Sequence, residues 1–281
     1  MVRRWTLPRR VPKSQAVLHP FHKMHGLGND FVILDGRRDP LAITPAMARA
    51  LADRQRGIGC DQLIVMEPSA TAALCMTIFN ADGGIAEACG NAARCVVALT
   101  GAETIETTGG VIAGSAVGDD IEVTMGEPRF AWNEIPLAFA MDPAVLAWDE
   151  FTAPLAVNVG NPHLVFFVAA IDEQRLRTVG PRIEHDPAFP ERINVNVATV
   201  EADRISLRTW ERGAGLTLAC GTGACATAVA AIRLKRAASP ITVQMKGGAL
   251  TIAWAPGQPI RMRGPATHVF SGAIDLAALA S

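Results

Sequence analysis

The chain has 281 residues, 49% of them hydrophobic, with 26 basic against 27 acidic side chains, enough length for one large core or two modest ones. A net charge of −1 leaves no electrostatic footprint for nucleic acid or an anionic membrane surface. The longest apolar run, LVFFVAAI, falls far short of the ~20 residues of a spanning helix.

From the start, residues 1–20 are basic and punctuated by proline, with no apolar stretch of the signal-peptide kind. They are expected to form a disordered extension without a catalytic part; a transit peptide is the alternative for an Arg-rich, acid-free leader. Six cysteines without a secretory signal then suit a reducing, cytoplasmic compartment.

Strand-like patterns follow in DFVILD, DQLIVME, ALCMTIFN, IEVTMG, HLVFFVA, ISLRTW, ITVQMK and ALTIAW. Helical patterns cover residues 44–54, 90–101 and 221–236, the first opened by Thr44 and Pro45 as N-cap and first-turn proline. Strands outnumber helices without regular alternation, which makes the class α+β. A Pro-rich stretch from Glu127 to Pro154 is the expected crossover between two halves.

The halves are visible as a repeat. EACGNAARC around Cys89 and LACGTGACA around Cys220 share a phrase: cysteine, glycine (Gly90, Gly221), a short polar residue (Asn91, Thr222), then an Ala-rich run. Some sixty residues ahead of each lie GLGNDFVIL with Asn29 and NVGNPHLVFFV with Asn161. Directly before each stands an apolar strand ending in polar groups, TIFNADGG with Asn80 and LRTWERGAG with Glu211 and Arg212. Matched landmarks in one order argue for internal duplication.

The repeated phrase has a chemical use. A glycine after the cysteine lets the backbone turn sharply and approach a ligand. The helix that follows turns its free N–H groups and positive dipole end toward the loop, a setting for a substrate carboxylate that also lowers a nearby thiol's pKa. Two such phrases facing one carbon supply a thiolate base on one side and a thiol acid on the other, the chemistry of a cofactor-independent racemase or epimerase. Cys60, Cys75, Cys95 and Cys225 lack this context and are expected to be small buried hydrophobes. Pyridoxal phosphate requires a Schiff-base lysine, and none of Lys13, Lys23, Lys235 and Lys246 stands beside either cysteine phrase. No cofactor and no metal are therefore expected.

The phrases HGLGNDFV, RGIGCDQLIV, IFNADGGIAEACGNAARC, VGNPH, ERINVNV, WERGAGLTLACGTGA and GPATHVF, spread over residues 21–272, together resemble the diaminopimelate epimerases. The resemblance implies two pseudo-symmetric halves, each a curled mixed or antiparallel sheet around a central helix, with the active site in the cleft between them. It assigns 21–133 plus 266–281 to the half holding Cys89 and 134–265 to the half holding Cys220, the strand around THVFSGAI returning to the first half. It implies interconversion of LL- and meso-diaminopimelate, in the synthesis of lysine and peptidoglycan precursors, by Cys89 and Cys220. Asn29, Gln62, Asn80, Asn161, Asn194, Glu211 and Arg212 are implied to hold the substrate, joined by Gly90, Asn91, Gly221 and Thr222 of the cysteine loops. His163 is implied to polarise one thiol together with Glu211. Chemically, Arg suits a carboxylate, and Glu and Asn oxygens accept from an ammonium. A homodimer is also implied, although Phe270 stands where the family often has a dimer-contacting Tyr. Phe keeps the ring packing and loses the hydroxyl.

Two other readings compete. A proline or hydroxyproline racemase of the same fold acts on a cyclic monocarboxylate and gives Glu211, Arg212 and the several Asn no second amino-acid head to hold. A metal or redox module is disfavoured because Cys89/Cys95 and Cys220/Cys225 lack the tight C-x₂-C spacing of structural zinc.

Overall fold

The computed structural model describes residues 17–279, so residues 1–16 of the expected extension lie outside the described residues. The first half runs β1 (Leu18–Gly26), β2 (Asn29–Asp35), α1 (Pro45–Ala52), β3 (Gln62–Glu67), β4 (Leu74–Asn80), β5 (Ile85–Ala86), α2 (Gly90–Thr100), β6 (Thr104–Thr107), β7 (Gly110–Val117) and β8 (Asp120–Met125). A two-strand hairpin, β9 (Ala147–Trp148) and β10 (Phe151–Thr152), stands in the Pro-rich crossover. The second half runs β11 (Leu155–Asn158), β12 (Pro162–Phe167), α3 (Glu173–Glu184), β13 (Asn194–Val200), β14 (Arg204–Glu211), β15 (Gly215–Leu216), α4 (Gly221–Arg233), β16 (Ile241–Met245), β17 (Gly248–Ala253) and β18 (Ile260–Gly264). Last comes β19 (Thr267–Asp275).

Strand pairing carries the duplication into three dimensions. In the first half β1–β2 is antiparallel, β2–β3 parallel, β3–β4 antiparallel, β4–β6 parallel, then β6–β7 and β7–β8 antiparallel. The second half repeats that alternation from β11 to β18, with β14–β16 standing for β4–β6. Each parallel step leaves the sheet and returns, so each half holds one helix after its second strand and another before the sixth. β8 pairs antiparallel with β18, fusing the halves, and β19 pairs antiparallel with β1, so the C-terminal strand does return to the first half. The class is α+β with two pseudo-symmetric halves.

Helices α2 and α4 are Ala-rich because they fill the middle. Ala92, Ala93 and Val96 of α2 share one buried cluster with Ala224, Ala226, Ala228 and Val229 of α4, together with Met125, Leu250 and Met262 of the sheets. Small side chains let a helix lie close to sheet on several sides at native packing density. Cys95 and Cys225 belong to that cluster, fully buried, as expected of hydrophobe-like thiols. The Thr44 side chain accepts from the Met47 N–H at 3.2 Å to open α1, and Gly101 in the left-handed region closes α2.

Three differences from the sequence pattern have physical causes. Strand β1 opens at Leu18, ahead of the expected boundary at Phe21, because Leu18, His19 and Pro20 pair with Asp275, Ile274 and Ala273 of β19. Helix α3 was not expected, since Gly180 and Pro181 interrupt it; yet a Cβ on Gly180 would lie 2.8 Å from Trp210 Cγ, so the glycine is what lets the indole pack there. β13 also escaped notice because it alternates Asn with Val: Asn194 and Asn196 are both buried, their amides bonded within the fold.

Candidate active site

Cys89 and Cys220 are N-caps of α2 and α4, and a third side chain holds the two helix starts together. A Cβ on Gly90 would lie 2.2 Å from Met262 Cε, and one on Gly221 would lie 3.3 Å from Met262 Sδ and 3.1 Å from Asn91 Oδ1. Both glycines are thus sites of close approach, where a side chain would have to displace the Met262 thioether. Both cysteines line one cleft of about 1370 Å³.

All the expected site residues except His163 and Asn194 line that cleft: Asn29, Gln62, Asn80, Gly90, Asn91, Asn161, Glu211, Arg212, Gly221 and Thr222 stand with the two cysteines. On the first-half wall, Asn91 Nδ2 donates to Asn29 Oδ1 at 3.1 Å, the oxygen that also faces Cys89 Sγ at 3.9 Å. Gln62 Nε2 donates to Asn80 Oδ1 at 2.9 Å. That leaves Gln62 Oε1 buried without a partner among the described residues, an acceptor open to a ligand donor.

On the second-half wall, Cys220 Sγ accepts from the Gly223 N–H at 3.4 Å and lies 3.5 Å from Thr222 Oγ1. Glu211 Oε1 accepts from Thr217 Oγ1 at 2.5 Å, and its carboxyl also meets Cys220. Burial pushes the Glu211 pKa up. The Arg212 guanidinium donates to Glu191 O at 2.9 Å and, among the described residues, forms no ion pair. A cation at the cleft wall without an acidic partner suits an incoming carboxylate.

The two absentees stand one layer back. Asn194 spends its amide on backbone, donating to Pro162 O and accepting from the Arg212 N–H, both at 2.9 Å. It therefore holds Arg212 from behind the residues that line the cleft. His163 is fully buried. Asn196 Nδ2 lies 3.1 Å from His163 Nδ1, which makes that nitrogen the acceptor and puts the proton on Nε2, 2.8 Å from Asn161 Oδ1. Burial holds its pKa down at about 3, with the nearby Arg212 charge adding to the effect, so the ring stays neutral and fixes which way the Asn161 amide points. Of the pair expected to polarise one thiol, Glu211 adjoins Cys220 whereas His163 is bonded to Asn161 and Asn196.

Thiol electrostatics reverse one expectation. Helix N–H groups of Asn91 and Ala92 do pull the Cys89 pKa down, and that of Gly223 does the same at Cys220. Burial outweighs them and raises both thiols, Cys220 well above its ordinary value with the Glu211 charge adding to the rise. A cap donor offsets only part of the cost of taking a thiolate out of water.

Several supports were not anticipated. Asp61 Oδ2 accepts from Asn29 Nδ2 at 3.0 Å and Arg54 bridges Asp61 to Asp30, each at 2.7 Å, which orients Asn29. The buried Glu184 accepts from the Gly213 N–H at 2.9 Å and from Trp210 Nε1 at 2.7 Å, anchoring the turn after Arg212. Asp61 sits inside RGIGCDQ, where the phrase drew notice to Gln62 alone. Among the described residues no three His, Cys, Asp or Glu side chains converge as a metal site, and no helix is long and apolar enough to cross a membrane.

Two halves closing on one cleft define a fold also seen in a Bacillus anthracis phenazine biosynthesis protein of the PhzF family. That structure aligns with a TM-score of 0.64 at 14% identity, covering 92% of this chain and 99% of the other. A hydroxyproline epimerase from Agrobacterium vitis aligns at 0.62 and 15% identity, with 92% and 91% covered. The sequence then narrows the fold to a family. Residues 21–131 and 155–269 match the diaminopimelate epimerase model, and a diaminopimelate epimerase from Rhizorhabdus wittichii is 61% identical over 264 residues, 92% of this chain and 96% of the relative. The chain belongs to the diaminopimelate epimerase family.

Proposed function

We propose that the protein interconverts LL- and meso-diaminopimelate without a cofactor, using Cys89 and Cys220 as a paired base and acid. The observation that carries this is the meeting of two cysteine-capped helix starts at one cleft, against Met262. A thiolate on one side removes the α-proton while the thiol on the other gives its proton to the opposite face. The stereocentre inverts, and thiolate and thiol exchange places. Because burial raises both pKa values, the thiolate is the minority form at neutral pH and a correspondingly strong base, suited to a weakly acidic carbon.

The reacting carboxylate would sit on the free N–H groups at the starts of α2 and α4. Arg212 would clamp the distal carboxylate. Glu211 and the oxygens of Asn29 and Gln62 would accept from the ammonium groups, while Asn80 and Asn161 offer amides whose orientation Gln62 and His163 fix. Thr222 completes the wall beside Cys220. At about 1370 Å³ the cleft exceeds the ~300–1,000 Å³ of an ordinary ligand pocket, so closure of the halves, 21–133 plus 266–281 against 134–265, would bring the thiols to the reacting carbon.

A cytoplasmic homodimer is part of the same proposal, as is a place in lysine and peptidoglycan precursor synthesis. Six free cysteines suit a reducing compartment. Val269 and Phe270 expose apolar side chains on β19 beside β1, with Phe270 held edge-on to Phe21 at 6.0 Å between ring centroids. Incubation with LL-diaminopimelate and with L-proline in D₂O separates this function from its nearest rival: deuterium should enter diaminopimelate, and its entry into proline alone would overturn the assignment.

A further inference from the structure

Arg94, one turn into α2, has a side chain with no exposed surface. Its guanidinium meets only neutral partners: Nη2 donates to Asn91 Oδ1 at 2.9 Å, Nε to Pro265 O at 3.3 Å, and Nη1 lies 3.5 Å from Met262 Sδ. Among the described residues no carboxylate forms an ion pair with it; Asp120, an acid whose charge reaches it, is bridged to Arg263 at 3.7 Å. A buried unpaired charge is costly, and a guanidinium does not escape that cost by losing its proton at physiological pH. The other ionisable groups that face it are thiols, Cys89, Cys95 and Cys225.

We infer that Arg94 is the counter-charge of this site: a positioning residue that locks the Asn91 amide between the two helix starts and favours a thiolate at Cys89. The inference rests on the paired-thiol function proposed above and adds the source of the positive charge that function needs. A relay of contacts connects the two. With its Oδ1 held by Arg94, Asn91 must present Nδ2 to Asn29 Oδ1 at 3.1 Å, and that oxygen faces Cys89 Sγ. The same Asn91 Oδ1 lies 3.1 Å from where a Cβ on Gly221 would stand, so one amide braces the starts of both α2 and α4. A carboxylate beside Arg94 would cancel its field permanently. Without one, the field remains for an anion that exists only in turn, the thiolate and the carbanion formed as the α-proton leaves.

A purely structural role is the competing explanation, since Arg94 also ties α2 to the β18–β19 junction through Pro265, and Gly26 of β1 packs so close that a Cβ there would lie 2.9 Å from Nη2. The test compares the full chain with Arg94→Met, which removes the charge at similar volume, and Arg94→Lys, which keeps it. Alkylation of Cys89 by iodoacetamide is followed across pH by peptide mass spectrometry, alongside kcat and KM. Arg94→Met should move the Cys89 alkylation profile up by about one pH unit or more and lower kcat at least ~tenfold with KM changed little, while Arg94→Lys restores the profile. Should Arg94→Met fail to fold by circular dichroism, Arg94→Gln carries the same expectation. An alkylation profile left at the wild-type position in the folded neutral variant overturns the inference, whatever its turnover. The readout needs no substrate, so it is separate from failure of the paired-thiol function, which turnover by a cysteine-free variant would reveal.

Discussion

Replacing Gly223 by Ala should destabilise the protein, although helix propensity alone points the other way by about 1 kcal/mol. Gly223 lies in the first turn of α4, and its N–H donates to Cys220 Sγ. A Cβ there would lie 2.7 Å from Asn196 Oδ1, 2.9 Å from Thr209 Oγ1 and 3.2 Å from Cys220 Cβ. Neither polar neighbour is free to swing away: both are buried, Thr209 donates to Asn196 Oδ1 at 3.0 Å, and Asn196 Nδ2 is engaged by His163 and Leu164 O. Overpacking of this kind costs about 1–3 kcal/mol, and a disturbed buried hydrogen bond about 1 kcal/mol more. After the propensity gain the net loss is about 1–3 kcal/mol, which lowers Tm by roughly 2–5 °C in a chain of this size. Scanning calorimetry measures it, with Gly126→Ala as the control, where a Cβ meets nothing within 4 Å. Activity should fall as well, because Asn196 carries His163 and through it Asn161. An unchanged or raised Tm would refute the reasoning and mean that the Asn196–Thr209 pair yields freely.

Loss of the Arg212 guanidinium in Arg212→Ala should raise KM roughly 10–150-fold, the ~1.5–3 kcal/mol of a charged hydrogen bond, with Arg212→Lys recovering part of it; steady-state kinetics checks both. Stability should fall below pH 6.5, because the unfolded chain protonates a histidine that the fold keeps neutral until about pH 3; the stabilisation is full above 6.5 and lost on acidification. His163→Gln should flatten that slope in thermal melts between pH 4 and 7. At the alkaline end Cys95 and Cys225, both pushed up to about 12 by burial, keep their protons when unfolded thiols at 9.0 have lost theirs. Their contribution is full below pH 9 and declines toward 12, and replacing both by Ala should shallow that decline. Mild oxidation should link Cys89 to Cys220 across the substrate-free cleft and stop turnover until reductant is added; full activity in a protein shown by mass spectrometry to carry that disulfide would exclude a thiol mechanism.

Duplication was legible because the cysteine phrases, their upstream Asn turns and the strands before them recur in order, and the same succession of parallel and antiparallel steps recurs in the sheet. The cleft lining was legible for the same reason: the repeated phrases are the loops that face it. What escaped is tertiary in origin. Helix α3 carries a Gly-Pro pair that reads as a break, and only the Trp210 ring explains the glycine. The bonds that the Asn194 and Asn196 amides make to backbone and to His163 inside β13 depend on which strands lie beside it. Arg94 looks like any arginine on a helix until its burial is known. A helix start is visible in a phrase such as ACG, whereas the desolvation that sets the direction of the thiol shifts depends on what packs around it.

In the proposed reaction one sulfur removes a proton and the other returns one. Cys89→Ala and Cys220→Ala, each incubated with LL-diaminopimelate in D₂O and followed by NMR for meso product and α-carbon deuterium, test it most directly. Each single variant should form no meso isomer above background while melting close to the unaltered protein. Near-normal formation of the deuterated meso isomer by either one would contradict the account.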